Sequence, residues 1–143
     1  MTPSDPLGQV PTLSLATLSA DDFADAIGSS FREFGFAMVT DHGMDPDLVA
    51  RGWALAKAFF ALPEPVKRTY LVPGGAGQRG YTAFGTEVAK GASENDLKEF
   101  WHVGRELPAS HPLANDMPPN IWPREVEGFE ETFTALFAAF DAV

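Results

Sequence analysis

The stretch Gly35-Phe36-Ala37-Met38-Val39-Thr40-Asp41-His42-Gly43 decides how this chain is read. Its first glycine is a helix stop, because a residue without Cβ enters the left-handed conformation at little cost. The five residues after it form a run too short and too apolar for anything but a buried strand, and Asp41-His42-Gly43 closes that strand with turn chemistry. Just beyond, Asp45 is a good N-cap, and Pro46 takes the first helical position, where a missing N–H goes unnoticed. The local order is therefore helix, strand, helix, which places the chain in the mixed α/β (α+β) class.

Reading outward to the N-terminus, Ser19 with Asp22 three residues on forms a capping-box variant, and Asp21 and Asp22 suit the positive end of a helix dipole. Phe23, Ile27, Phe31 and Phe34 follow at steps of four, four and three and share one helix face. Before that helix, Val10-Pro11-Thr12-Leu13-Ser14-Leu15 alternates as a short half-buried strand does, with Pro11 confined to its start or to an edge. Residues 1–9 mix Pro, Gly and Ser without period and read as a flexible entry segment.

Toward the C-terminus, the second helix has an apolar face of Val49, Trp53, Ala56 and Phe60 and ends at Leu62-Pro63. Pro65 opens a short further helix through Tyr70. Residues 73–80 are a glycine loop, and strands are expected over 81–88 and 97–103, joined by a polar stretch over 90–96. Residues 107–124 hold five of the twelve prolines and should run irregularly across a surface. A last helix is expected from Val126, with Glu127, Glu130 and Glu131 near its start and Phe129, Phe133, Leu136 or Phe137, and Phe140 as its stripe. That stripe runs on without a glycine stop or a basic last turn. Two expectations follow: a chain truncated so that the stripe lacks its partner layer, or a helix docked on the chain's own core.

Composition narrows the classes of function. With 143 residues, 45% of them hydrophobic, the chain can bury a core without staples. Twenty acidic residues against ten basic ones leave a formal charge of −10, so no general attraction to nucleic acid or anionic lipid is expected. The lack of cysteine removes disulfides, thiolate metal sites and cysteine nucleophiles together. No uncharged apolar run approaches the roughly 20 residues of a spanning helix, and the first ten residues do not look like a secretory leader. The cytoplasm is the expected compartment.

Gly75-x-Gly77-x-x-Gly80 matches the dinucleotide fingerprint in letters only, because a strand should lead into it and a helix should open from it. Here a Pro-closed helix end precedes it and a strand-like Tyr81-Thr82-Ala83-Phe84 follows. Metal chemistry must use His42, His102 and His111 with carboxylates, and non-haem Fe(II) wants two histidines and one carboxylate. The residues two after these histidines are Met44, Gly104 and Leu113, so a His-x-Asp pair is missing, and each histidine is read as structural or solvated. The sequence offers no Gly-x-Ser-x-Gly elbow. Glu94, Asp96 and Glu99 beside Lys98 read as a solvated acidic edge. No catalytic, metal-ligating or cofactor-binding residue is assigned.

Several blocks, taken in order, resemble the N-terminal region of the isopenicillin N synthase-like 2-oxoglutarate/Fe(II) oxygenases. They are the strand at 10–15, the Gly35 to Gly43 block, Ala58-Phe59-Phe60-Ala61-Leu62-Pro63 with Lys67 and Tyr70, and Gly80-Tyr81-x-x-x-Gly85-x-Glu87. Asp96-x-Lys98-Glu99-x-Trp101 and Asn120-x-Trp122-Pro123 with Gly128-Phe129 continue the series. The family usually has Asn where this chain has Asp41, a change that keeps the turn-closing acceptor and loses an amide donor.

The resemblance implies that residues 10–143 are a helix-strand region that packs on a double-stranded β-helix (jelly-roll) core largely absent from this chain. The family's His-x-Asp, distal His and Arg-x-Ser lie in that core; here the residues two after Arg32, Arg51, Arg68, Arg79, Arg105 and Arg124 are Phe34, Trp53, Tyr70, Tyr81, Leu107 and Val126. It further implies a full-length oxygenase that uses Fe(II) and 2-oxoglutarate on a small organic substrate, while this chain alone binds neither and is inactive. Arg79 and Tyr81 are the expected substrate-binding residues, since the Gly-Tyr strand lines the mouth of the cavity in resembling proteins. Arg79 is suited to a bidentate pair with a substrate carboxylate. The competing expectation is a non-catalytic interaction module left after loss of the core, and a homodimer through the C-terminal helix would cover its apolar stripe.

Overall fold

The computed structural model describes residues 9–75, 77–86 and 96–143, and the chain divides into two compact units, one ending at Met44 and one running from Asp45 to Ala142. In the first unit the order is β1 (Thr12–Ser14), α1 (Ala20–Phe34) and β2 (Met38–Thr40). The strands pair in parallel, with Thr12 opposite Met38, Leu13 opposite Val39 and Ser14 opposite Thr40. Parallel neighbours need a crossover, and α1 supplies it. Its ends form as the sequence predicts: the Ser19 hydroxyl accepts the Asp22 N–H at 3.1 Å, and Gly35 stops the helix in the left-handed region at φ 81°.

Burial in this unit is thinner than the sequence predicts. Phe36 and Met38, expected within a buried strand, are 54% and 46% exposed, and Phe31 of the helix stripe is 55% exposed. Leu13 and Ser30 are its buried residues among those described. Two strands under one helix offer cover to one face only, so every second side chain of β2 lacks a layer. The turn after β2 is firmer. Asp41 takes the left-handed conformation at φ 57°, which Asp tolerates better than most residues, and its carboxylate accepts the Ser14 hydroxyl at 2.5 Å.

The second unit holds α2 (Pro46–Phe60), α3 (Glu64–Arg68), β3 (Gly80–Thr82), β4 (Phe100–His102) and α4 (Phe129–Asp141). Asp45 caps α2 by accepting the Asp47 N–H at 2.9 Å, with Pro46 at the first turn. The strands are shorter than the expected 81–88 and 97–103, and they pair antiparallel with Tyr81 opposite Trp101. The joining residues 87–95, including Glu87, Val88, Lys90 and Glu94, lie outside the described residues, as do residues 1–8 of the entry segment. The proline-rich 107–124 forms neither helix nor strand, as expected.

Two helix readings are corrected. In α2 the buried positions are Gly52 and Phe59, while Trp53, placed on the core face by its hydropathy, is 66% exposed. The reason is Gly52: a Cβ built there would lie 2.4 Å from Leu136 Cδ1, so the bare backbone of α2 is what receives α4. Helix α4 starts at Phe129 instead of Val126, because Gly128 in the left-handed region at φ 76° interrupts the chain ahead of it. Its stripe is covered unevenly, with Phe133 and Phe137 half-buried. Phe129, Thr132 and Leu136 are buried within this unit, while Phe140 stays 66% exposed.

The core gathers around Phe59, which is fully buried and meets Trp101, Phe60, Tyr81, Phe129 and Tyr70 at ring separations between 4.7 and 6.2 Å. Most of these contacts are edge-to-face, the arrangement that the ring quadrupole favours. Ala83 and Val126 complete the buried cluster.

Candidate functional site

Both expected substrate-binding residues lie at the β3–β4 pair. Gly80 opens β3 with φ 70°, and a Cβ there would approach Ile121 Cδ1 at 2.5 Å and the Tyr70 carbonyl at 2.7 Å. Only glycine fits both constraints. Tyr81 N–H then donates to that same Tyr70 carbonyl, which sets the strand against the end of α3.

Tyr81 lies in the core, 2% exposed, and its hydroxyl donates to Glu99 Oε2 at 2.5 Å. Burial first, then the hydrogen bond to the Glu99 carboxylate and its negative charge, push the Tyr81 phenol well above its usual range. Tyr81 therefore stays protonated and acts as a donor. Lys67 approaches the same carboxylate from α3, with Nζ 2.8 Å from Oε1 and 2.7 Å from Oε2, and also donates to the Phe60 carbonyl at 3.2 Å. Its ammonium lies 5.7 Å from the centre of the Tyr81 ring. The Lys67 and Glu99 side chains are 9% and 13% exposed, so this is a nearly desolvated pair. Glu99, read from sequence as part of a solvated acidic edge, is thus a buried partner; Asp96 keeps to the edge, paired with Lys98 at 3.1 Å.

Arg79 is nine-tenths buried. A Cβ built on Gly104 would stand 2.0 Å from Arg79 Cζ and 2.2 Å from both Nη atoms, so the guanidinium lies with its face on the glycine backbone. Gly104 is itself clamped: its N–H donates to Asn120 Oδ1 and its carbonyl accepts from Asn120 Nδ2, both at 2.8 Å. Arg79 Nη1 donates to the Gln78 carbonyl at 2.7 Å, while Nε is buried without a partner. Thr82 Oγ1 and Trp101 Nε1 are likewise buried and unpartnered. Sequence reasoning selects Arg79 and Tyr81 but misses the residues that hold them, Lys67, Glu99, Gly104 and Asn120, because each acts across a long stretch of chain.

The described glycines of this run, Gly75, Gly77 and Gly80, serve the site as plain loop and strand-entry residues. His102 Nδ1 bonds the Gly77 carbonyl, and a Cβ on Gly77 would lie 3.0 Å from Thr82 Oγ1. The described donors do not converge on an iron site. The His42 and His111 Nδ1 atoms accept the main-chain N–H two residues on, at 3.2 and 3.1 Å, and His102 Nδ1 is taken by Gly77. Among the described residues no three His, Asp or Glu side chains gather closely enough to hold a metal. What these residues can do chemically is position a strand pair and present a cationic group.

The same arrangement is found within solved 2OG-Fe(II) oxygenase structures, and the sequence match points to the N-terminal regions of non-haem dioxygenases. Residues 10–125 match the family described as "non-haem dioxygenase in morphine synthesis N-terminal", and the chain belongs to that family. A 2-oxoglutarate-Fe(II) type oxidoreductase of Aspergillus fumigatus is 34% identical over 101 residues, 68% of this chain and 30% of that protein. The crystal structure of a 2OG-Fe(II) oxygenase family protein from Caulobacter crescentus superposes with a TM-score of 0.77 at 41% identity, covering 92% of this chain and 44% of that one. A full-length Neurospora crassa protein, solved in complex with alpha-KG, gives a TM-score of 0.69 at 26% identity over 93% of this chain and 43% of its own. The chain thus spans less than half the length of each of these proteins, and the relatives are 2-oxoglutarate-dependent oxygenases.

Proposed function

We propose that this chain is the N-terminal part of a non-haem Fe(II), 2-oxoglutarate-dependent oxygenase that oxidises a small organic substrate. The observation that carries this reading is the family match over residues 10–125. In this proposal a jelly-roll core supplies the iron ligands and the 2-oxoglutarate clamp, and iron with 2-oxoglutarate supplies the oxidising chemistry when bound. This chain gives structural support and one wall of the substrate site. Arg79 is the polar group of that wall. Tyr81, buried in the core and held by Glu99 and Lys67, fixes the strand that follows Arg79 and so acts on the wall from behind. Such a division suits the physics, since a rigid, dry wall excludes water and orients substrate without taking part in bond making.

The test has two parts. Sequencing the reading frame beyond Val143 should find His-x-Asp, a distal His and Arg-x-Ser. The protein expressed from that frame should release succinate from 2-oxoglutarate only when Fe(II) and O₂ are supplied. A stop codon directly after Val143, or a longer protein that consumes no 2-oxoglutarate under any condition, would overturn the reading and favour the interaction module.

A further inference from the structure

Between Gly104 and Asn120 the chain makes a long excursion that closes on itself. The Asn120 amide lies across the Gly104 peptide, with Oδ1 accepting the N–H and Nδ2 donating to the carbonyl, so one side chain fastens the two ends of the excursion together. Within residues 105–119 only Leu107 and Ala114 are even half-buried, and the rest are exposed. The main-chain hydrogen bonds there are local turns: His111 to Pro108, Ala114 to His111, and Asp116 and Met117 to Leu113. Leu107, Met117 and Pro119 line a hollow of about 400 Å³ inside the loop, where a packed centre would otherwise be. Among the described residues its polar ties outward are Glu106 to Asn120 itself and the exposed ion pair of Arg105 with Asp141. The Arg105 guanidinium also lies 5.5 Å from the Phe137 ring. A loop with adjoining ends and so few buried contacts belongs to the low-stability end of a structure.

The latch of this loop is also the cover of Arg79. The flat face of the guanidinium lies on the Gly104 backbone, Nη1 donates to the Gln78 carbonyl, and Nε is buried with no acceptor. The described ion pairs of lysine and arginine are Lys67 with Glu99, Arg68 with Glu64, Lys98 with Asp96 and Arg105 with Asp141, so none of them compensates this charge. A cation nine-tenths removed from water on these terms is costly, and arginine does not relieve the cost by losing its proton. Lifting Gly104 away would return water to that face and to Nε. The closed loop is thus held by a few polar ties near the surface, where water competes for each, and is opposed from within by a desolvated charge.

We infer that residues 105–119 are a lid, latched by Asn120 on Gly104, and that the lid opens without unfolding of the core and bares Arg79 to solvent. The core below has its own support: the Tyr81 N–H donates to the Tyr70 carbonyl and its ring packs 5.8 Å from that of Phe59, and neither contact involves the loop. Asn120 and Gly104 are positioning residues, one the latch and the other the seat. The lid belongs to this chain and does not rest on the oxygenase reading; under that reading it regulates when the polar group of the wall can be reached.

The experiment is hydrogen exchange on the 143-residue chain, following the Arg79 Nε–H beside the main-chain N–H groups of Gly104 and Tyr81. The other arginines are exposed, so the slowly exchanging Nε–H is that of Arg79. No acceptor holds this proton, and burial alone protects it, which makes it the reporter of the lid. In the parent chain Arg79 and Gly104 should be protected to the same degree, about tenfold or more below Tyr81. Their exchange should also respond only weakly to low urea, because a lid that opens alone exposes little surface. Asn120→Ala deletes both latch hydrogen bonds and should lower the protection of Arg79 and Gly104 about tenfold or more, while Tyr81 stays within about twofold. Arg79 protected as fully as Tyr81 in the parent chain, with the same urea dependence, would mean that only global unfolding reaches it and would overturn the lid. That comparison needs no variant and decides the matter even if Asn120→Ala does not fold. A variant in which Gly104 exchanges faster and Arg79 does not, or in which Tyr81 speeds up in step, would overturn it as well. The oxygenase reading stands or falls on consumption of 2-oxoglutarate, which none of these measurements touches.

Discussion

Replacing Lys67 by Met keeps most of the side-chain length and removes the charge. The change deletes two N–H···O contacts to Glu99 and the one to the Phe60 carbonyl at the end of α2. Glu99, with a side chain only 13% exposed, is then left with the Tyr81 hydroxyl alone. Removing one member of a nearly buried pair costs about 3–5 kcal/mol, chiefly because the surviving charge stays desolvated. Against a typical stability of about 5–15 kcal/mol this is a large fraction. With a urea slope of about 2 kcal/mol per molar, the unfolding midpoint should fall by about 1.5–2.5 M. Trp101 is a suitable reporter, because its ring lies 4.7 Å from Phe59 at the centre of the same core. The reasoning makes a second demand. The triple change Lys67→Met, Glu99→Leu and Tyr81→Phe removes every polar member at once and should recover most of the loss, since apolar groups of similar size replace a buried pair at little cost. A single variant within about 0.5 kcal/mol of the parent, or a triple variant no better than the single, would refute the account of this cluster as a buried, mutually dependent set.

The chain's two tyrosines, Tyr70 and Tyr81, both have phenols raised above the ordinary value, Tyr70 by burial and then by its hydrogen bond to Glu125. Tyrosinate absorbance in the folded chain should therefore appear at higher pH than in urea; because the protonated phenols are favoured by folding, that stability is complete below about pH 10 and declines as pH rises through the folded values. Coincident titrations in the two solvents would contradict it. Asp141 is held below the usual carboxylate range by the hydrogen bond from Arg105, so its contribution is present above about pH 4 and lost as pH falls through the lowered value. Asp141→Asn should flatten the acid limb of the urea midpoint, and an unchanged limb would show that the pair contributes nothing. Gly80→Ala combines a left-handed backbone with a clash on the Tyr70 carbonyl and should destabilise by about 2–5 kcal/mol in the same urea assay.

The legible parts of the fold are those whose cause is local. Ser19 with Asp22, Gly35, and Asp45 with Pro46 each act within one turn of chain, and all three helix boundaries stand where the sequence puts them. The phase of α2 is not legible, because the residue that seats α4 is Gly52, and a glycine adds nothing to a hydropathy stripe while Trp53 beside it adds a great deal. Lys67 and Glu99 are 32 positions apart, and no pattern along the chain couples them. At the site, the Gly-Tyr strand is recognisable, yet the burial of Arg79 depends on Gly104, held in turn by Asn120 from 16 residues further on. Apolar periodicity also overstates cover in the first unit, where Phe36 and Met38 have the composition of a buried strand but only one pairing partner to lie beside.

Asn120 has a consequence for how the hairpin meets other molecules. Just past the end of β4, its side-chain amide takes both the N–H and the carbonyl of Gly104, the two groups that a neighbouring strand would otherwise engage. An unfilled pair of this kind at a sheet margin is a template on which a stray extended segment can add, the first step of edge-to-edge aggregation. Here a single residue from an irregular, proline-rich crossing plugs the slot, so the ladder ends at a side chain and has no open rung there for a foreign strand to continue.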